Sequence, residues 1–405
     1  MDVKFSKRKF HCTCVSFLHV MFSMGQLAFC LFVFSCKEKY VSPYVSNIDG
    51  YLVVEGNINN GKDSTVIKLS RSTRLDNDEV KMESGASVKL EGDDKMSYIL
   101  NEIRPGFYHI GQLSLSEAKK YRLSIVTKSG KKYFSEFVPV KDNPAIDSIQ
   151  WKVEKSGVQL YINTHDDLNK TKYYNWEFDE TWEFHSTYKS FLQINESLIQ
   201  GKKVYTLDYR NLGYYSFDSS IYYCWRTEPS KNILIGTSIN LSNDVISLPF
   251  HFIPNDSWKL GVRYSINVKQ YSLSKSAYDY LLKMKKNTES TGSIFDAQPS
   301  ELKGNFYSES DKSETVIGFL NISNIKTKRI FIDNTQLSNW RYRETCFLSE
   351  IKNDSDSIRI SGIGLIPTDV AKTSATAIIS YYAGEPKCVD CTFRGTNIKP
   401  AFWKK

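Results

Sequence analysis

From residue 49 onward the chain alternates apolar and polar positions in short runs. "GYLVVEG" (50–56) reads as a buried strand. Val66, Lys68 and Ser70 then interleave with Thr65, Ile67 and Leu69. "ASVKLEG", "MSYIL" and "GFYHIG" follow, punctuated by Gly and Asp. In "YRLSIVTKSGKKYFSEFVPV", Ser129-Gly130 separates two alternating runs and predicts a hairpin. Short strands at this spacing predict an immunoglobulin-like β-sandwich over 49–142. Asp142-Asn143-Pro144 is the breaker that closes it.

The next region opens with "IDSIQWKVEKSGVQLYINTH", a second predicted hairpin, around Ser156-Gly157. "YYNWEFDETWEF" (173–184) then holds period two over its whole length. Its even positions are Tyr174, Trp176, Phe178, Glu180, Trp182 and Phe184; its odd positions include Asn175, Glu177, Asp179, Thr181 and Glu183. That is one half-buried strand of roughly 40 Å at about 3.3 Å per residue. Burial is where large rings stabilise most, so the aromatic face is expected to be a core wall and the acidic face to meet solvent. The competing use is contact with a ligand or partner through Trp176 and Trp182.

Further strands are expected at "ILIGTSINLS", "VISLPFHFI", "RYSINVKQYSL", "ETVIGFLNIS" and "TKRIFIDN". One helix stands out over 274–288. Leu273, Ala277, Tyr280, Leu281 and Met284 recur at helical spacing, and Lys283, Lys285 and Lys286 make a solvated basic end. "TGSIFDAQPSELKGNF" reads as a loop, and the C-terminal tail ends in Phe402 and Trp403, which suggests docking on the body. The expectation is a mainly β protein. An N-terminal immunoglobulin-like sandwich precedes a larger β-sandwich-type domain over 143–405, with one amphipathic helix and a docked tail. No internal repeat or low-complexity segment is visible.

Residues 1–48 follow a different pattern. Lys4, Lys7, Arg8 and Lys9 precede an almost uncharged apolar run over 15–35, the order of an export signal. The run is long enough to span a bilayer, so a signal anchor is the alternative. Cys36 favours a lipoprotein signal over 1–35. Val33 and Ser35 precede it as in a lipobox, whose cysteine is acylated, although Phe34 departs from the usual smaller residue. Lys37 and Glu38 directly after it resemble a surface-export signal, and 36–48 would be the lipid-anchored tether. The location expected is the outer membrane, facing the cell exterior.

Losing 1–35 removes four basic residues and one acidic one, so the formal charge falls from +8 to +5 over 370 residues. The charge is scattered, which argues against a nucleic-acid partner. Four cysteines remain in the body beyond the lipidation candidate: Cys224, Cys346, Cys388 and Cys391. In an exported chain they are disulfide candidates, with three pairings open. Cys388-Val389-Asp390-Cys391 has the form of a zinc half-site or a redox pair. No second such pair or paired histidines complete a zinc site, and the flanking Gly384, Pro386 and Gly395 read as loop rather than helix start. Asp76, Asp78 and Glu79, and Asp93 with Asp94, cluster in turns without an EF-hand spacing. No HExxH, GxSxG or phosphate-binding glycine loop is present. No catalytic residue, metal or cofactor is assigned.

The ordered set "YLVVEGNI", "TVIKLSRS", "CWRTE", "GSIFDAQPSELKGN", "VIGFL" and "CVDCTFRGTNIKPAFW" resembles an uncharacterised, domain-of-unknown-function family. Its members are Bacteroidetes outer-membrane lipoproteins that accompany SusC-like TonB-dependent receptors. The resemblance implies an accessory or binding subunit in nutrient uptake, with a receptor barrel as partner, and supplies no ligand. Two other readings stay open. One is a free-standing glycan-binding or adhesion module that uses exposed aromatics. The other is a cell-surface hydrolase that draws a carboxylate pair from Glu177, Asp179 and Glu183.

Overall fold

A computed structural model of the chain describes residues 50–73, 79–210, 216–289, 302–338, 340, 342, 344–375 and 377–404. Cys36, Lys37, Glu38 and the whole signal and tether lie outside the described residues, as do Asp76 and Asp78.

The first alternating runs are strands β1 (Leu52–Glu55), β2 (Ile58–Asn59), β3 (Thr65–Arg71), β4 (Lys81–Met82), β5 (Ser87–Gly92), β6 (Ser97–Arg104), β7 (Phe107–Ile110), β8 (Lys120–Val126), β9 (Lys132–Ser135) and β10 (Val138–Lys141). Their apolar positions meet in one core that includes Leu52, Ile67, Leu69, Leu90, Tyr108, Leu123 and Ile125. The expected Ser129-Gly130 hairpin joins β8 to β9, with Val126 opposite Lys132. Gly130 adopts φ +84° there, the left-handed conformation that a tight hairpin needs and that side chains resist.

A second core follows. Strands β11 (Ile146–Glu154) and β12 (Gly157–Asp166) form the second predicted hairpin, and β13 (Tyr173–His185) is the long aromatic strand. Then come β14 (Leu192–Ile199), β15 (Lys202–Tyr209), β16 (Tyr223–Pro229), β17 (Leu234–Thr237), β18 (Asp244–Pro254) and β19 (Arg263–Ser272). One sheet has the order β11-β12-β18; β13 lies between β16 and β19 in another, with β17 also paired to it. The two sheets share one apolar cluster, with Leu160 and Ile162 from β12, Trp176, Phe178 and Trp182 from β13, and Ile266 and Val268 from β19. The expected helix, α1 (Lys275–Glu289), comes next and buries Ala277 and Tyr280. Ser274 Oγ accepts from the Ala277 amide at 3.1 Å and caps its start.

The chain then returns to the first sheet. Strand β20 (Phe306–Ser308) pairs with β9, β21 (Val316–Gly318) runs parallel to β1, and β22 (Ile322–Ser323) runs parallel to β2 and β10. Phe306, Val316, Leu320 and Ile322 belong to the first core, so the N-terminal sheet draws on sequence far beyond residue 142. Alternation predicts that a segment is a strand; it carries no address for the partner. Strand β23 (Lys326–Asp333) then closes the second sheet against β19.

A third, smaller core was not expected. Strands β24 (Leu348–Lys352), β25 (Ile366–Thr373) and β26 (Ile378–Gly384) form a sheet in the order β24-β26-β25, with helix α2 (Ser355–Ser361) between β24 and β25 in sequence. Together with the β14–β15 hairpin they bury Leu192, Leu207, Ile358, Tyr381 and Ala383. Helix α3 (Pro386–Val389) begins the tail. Among the described residues two short α-helices therefore accompany the one predicted. Asp354 caps α2 by accepting from Ser357 N at 2.9 Å, a signal too short for periodicity to register.

Residues 51–405 group as one unit. Asn143, the middle of the breaker, is 2% exposed. Its side-chain amide donates to Gln270 O at 2.5 Å, and its Oδ1 accepts from Ser272 Oγ at 3.0 Å. Gln270 in turn donates to Pro144 O and Thr164 Oγ1 and accepts from Trp176 Nε1 at 2.8 Å. Asn321, just before β22, donates to Ser272 O at 3.1 Å. Buried amides that find every partner fix one arrangement, because a shifted one would strand them. The breaker is thus a rigid joint.

Candidate functional site

Trp176 and Trp182 are fully buried. The aromatic face of β13 is the core wall, and neither indole is available as a ligand or partner contact. This corrects that candidate use of both residues. Trp176 stacks on Tyr174 at 5.6 Å, and a Cβ on Gly236 would lie 2.7 Å from the Trp176 ring.

Glu180 is the one charge on that apolar face, and the fold builds a cluster around it. Its side chain is 6% exposed. Oε2 lies 3.2 Å from His251 Nε2 on β18 and accepts from Tyr264 OH on β19 at 3.0 Å. Oε1 accepts from Lys259, which sits in the short turn Trp258–Leu260. Burial pushes the Glu180 pKa up, but the hydrogen bonds and charges of His251 and Lys259 outweigh it and hold the carboxyl below its ordinary value. Burial and the neighbouring Glu180 carboxylate drive the Tyr264 hydroxyl well above its own. Lys259 also lies 3.6 Å from Glu228, which pairs with Arg226 at 2.7 Å. Lys259 sits 4.9 Å from the Trp182 ring, and Arg226 5.8 Å from that of Trp258. A carboxylate with three donors is held ionised; a general acid would need the opposite shift. The cluster ties β13, β18, β19 and the 258–260 turn together. The strand pattern flagged Glu180 as an acid on an aromatic stripe, but nothing in the sequence spacing pointed to His251, Lys259 or Tyr264.

The acidic face of β13 differs from expectation toward its C-terminal end. Glu177 is exposed and accepts from Tyr271 OH at 2.8 Å, and Asp179 pairs with Lys269 at 2.8 Å. Glu183 instead meets His185 at 3.1 Å and accepts from Trp403 Nε1 at 3.0 Å. The His185 hydrogen bond dominates over burial and keeps the Glu183 carboxyl below its usual range. Trp403 is 4% exposed and lies 5.4 Å from Phe331, while Arg329 stands 3.6 Å over Phe402. Part of the face read as solvent-facing is therefore covered by the C-terminal tail. Each of the three carboxylates named for a hydrolase already has a partner.

The tail is held by two disulfides, Cys224–Cys391 and Cys346–Cys388. The two cysteines of the CxxC thus pair with different partners, which excludes both the zinc half-site and the local redox pair. Cys388 lies in α3, where a loop was expected. Among the described residues no group of three His, Cys, Asp or Glu side chains is placed to hold a metal ion. Asp94 of the Asp93-Asp94 turn is paired with Lys119.

A half-exposed ring cluster lies beside this tail. His185 stacks on Tyr222 at 5.1 Å and meets Tyr223 edge-on at 4.8 Å. Phe217 packs against Tyr222 at 5.0 Å, and Lys189 stands 4.4 Å over the Phe217 ring. Tyr223 retains 37% exposure. Periodicity missed this cluster because its members come from the ends of two strands, β13 and β16, and from two irregular loops.

The sequence profile of the family described as Domain of unknown function (DUF4249) matches residues 38–329. The chain belongs to this family. The matched region takes in the first core and most of the second, and stops within β23. No curated protein matches the chain significantly. Among the described residues no helix is long and apolar enough to cross a membrane.

Proposed function

We propose that this chain is a lipid-anchored, surface-exposed outer-membrane protein that serves as an accessory or binding subunit beside a TonB-dependent receptor. The observation that carries the reading is the basic and apolar N-terminal run ending at Cys36, followed by Lys37-Glu38. The two disulfides support export, since such bonds persist in oxidising compartments. The mechanism is positional. A lipid confines the chain to the membrane plane and raises its effective concentration next to a membrane partner.

The test is affinity purification of the tagged protein from gently solubilised native outer membranes, with mass spectrometry of what co-purifies. A stoichiometric receptor barrel is the expected result. Recovery of the protein alone, under conditions that keep other membrane complexes intact, would overturn the partner.

The ring cluster of His185, Phe217, Tyr222 and Tyr223 favours a second reading, a glycan-binding or adhesion module. Half-exposed rings with polar edges suit sugar faces. Glycan arrays on the purified protein, with Tyr223→Ala as control, decide it. Binding that survives this substitution unchanged would count against the cluster.

A further inference from the structure

Three segments distant in sequence meet at a cleft of about 720 Å³ formed by residues 60–63, 112–116 and 324–327. Two asparagines brace its walls. Asn59, 1% exposed, donates from its amide to Asp63 O at 2.9 Å and accepts from Ile325 N at 3.1 Å. Asn60 clamps the opposite wall, accepting from Leu115 N at 2.6 Å and donating to Leu115 O at 3.1 Å. A Cβ on Gly61 would stand 3.0 Å from Asn324 Oδ1 and from Asn59 Oδ1, so backbone and side chains are already at closest approach. The cleft is preformed, and its size lies in the range of small-ligand sites, about 300–1,000 Å³.

Its lining is unusual for such a site. Lys62, Lys326, Gln112, Ser114 and Thr327 line it beside three aliphatic residues, with Asp63 as its one carboxylate, and no aromatic ring contributes. Among the described residues neither lysine has a carboxylate partner. Neutral sugars usually dock by stacking on rings, which this cleft lacks. It offers instead two free ammonium groups and a set of hydroxyl and amide groups. Ammonium groups attract a single anionic group, and the hydroxyls and amides match a polyol.

We infer that this cleft binds a small polyhydroxylated ligand carrying one carboxylate or phosphate group, of the class of sugar acids and sugar phosphates. The inference does not depend on the lipid anchor or on a receptor partner. Both lysines meet the anionic group while the loop hydroxyls and amides meet the polyol, and Asp63 disfavours a second anionic group on the same ligand.

The test is calorimetric titration of the detergent-purified full chain with glucuronate and with glucose 6-phosphate, alongside glucose and inorganic phosphate. At least one of the two anionic sugars is expected to bind with Kd about 1 mM or tighter, and glucose and inorganic phosphate each about tenfold more weakly. The tighter of the two sugars identifies the anionic group. The double variant Lys62→Ala, Lys326→Ala is expected to lose about tenfold in affinity with an unchanged melting temperature. Absence of saturable binding by both sugars up to about 10 mM would overturn the inference. So would inorganic phosphate binding as tightly as either sugar, which would mark a bare anion site. Unchanged affinity in the double variant would overturn it as well.

Discussion

At the scale of single residues, the informative positions are those that break a pattern. Glu180 interrupts an aromatic stripe, and the fold answers with His251, Lys259 and Tyr264. Because its folded pKa lies below the ordinary value, Glu180 contributes stability that is fully present above the unfolded pKa of about 4.3. That contribution is lost as pH falls through the lower folded value. Glu180→Gln is expected to cost about 1–3 kcal/mol at neutral pH by leaving the partly buried Lys259 without the Glu180 carboxylate. In melting curves from pH 7 down to about 3, the gap between the two proteins should close on the acid side. A gap that stays constant would remove the carboxylate from the account. Gly236 gives a second residue-scale prediction. A methyl group there meets the Trp176 ring, which is itself held by Gln270, so Gly236→Ala should lower stability by about 1–3 kcal/mol in urea titrations. Neither the charge cluster nor this contact was legible in the sequence beyond its first member, since both depend on residues that are neighbours only across the sheets.

At the scale of elements, alternation identified many strands of the first two cores, missed β14 to β16 and the strands of the third core, and said little about pairing. The β8–β9 and β11–β12 hairpins sit where Ser129-Gly130 and Ser156-Gly157 put them, because a tight turn carries its own backbone requirement. Strands β21 and β22 lie in a run expected as a strand and β20 starts at the end of the expected loop, yet the place of all three in the N-terminal sheet was not expected. The tail shows the same limit. Phe402 and Trp403 hinted at docking, and the structure supplies the receiving surface: Glu183, Arg263, Arg329 and Phe331. Trp403→Ala should cost about 3 kcal/mol, read as a lower urea midpoint. Peptide mapping without reduction should recover the 224–391 and 346–388 pairs; a 388–391 pair would refute this connectivity. Removing Cys224–Cys391 with the double substitution Cys224→Ser, Cys391→Ser should cost about 2–5 kcal/mol, since it closes a loop of 167 residues.

At the scale of the whole molecule, three cores are knitted by chain that leaves and comes back. Most of the second core comes from an excursion out of the first sheet, completed by β23 and by Leu337 and Cys391 after the chain has returned, and the third takes one hairpin from residues 192–209 and its other strands from 348–384. Cys36→Ala tests the proposed anchor at this scale. The variant should move from the membrane to the soluble fraction; retention in the outer membrane would sink the lipid attachment. What the sequence determined by itself is local. Period-two alternation set the mainly β class, turn residues set the hairpins, helical spacing set α1, and burial preference set the aromatic wall of β13. Each of these rests on interactions between residues a few positions apart. Only the tertiary structure decided which cysteines pair, that 306–323 completes the first sheet, and that a third core exists. It alone assembled the Glu180 cluster and the braced cleft. Those outcomes depend on contacts between residues tens to hundreds of positions apart, and such contacts leave no periodic trace along a single chain.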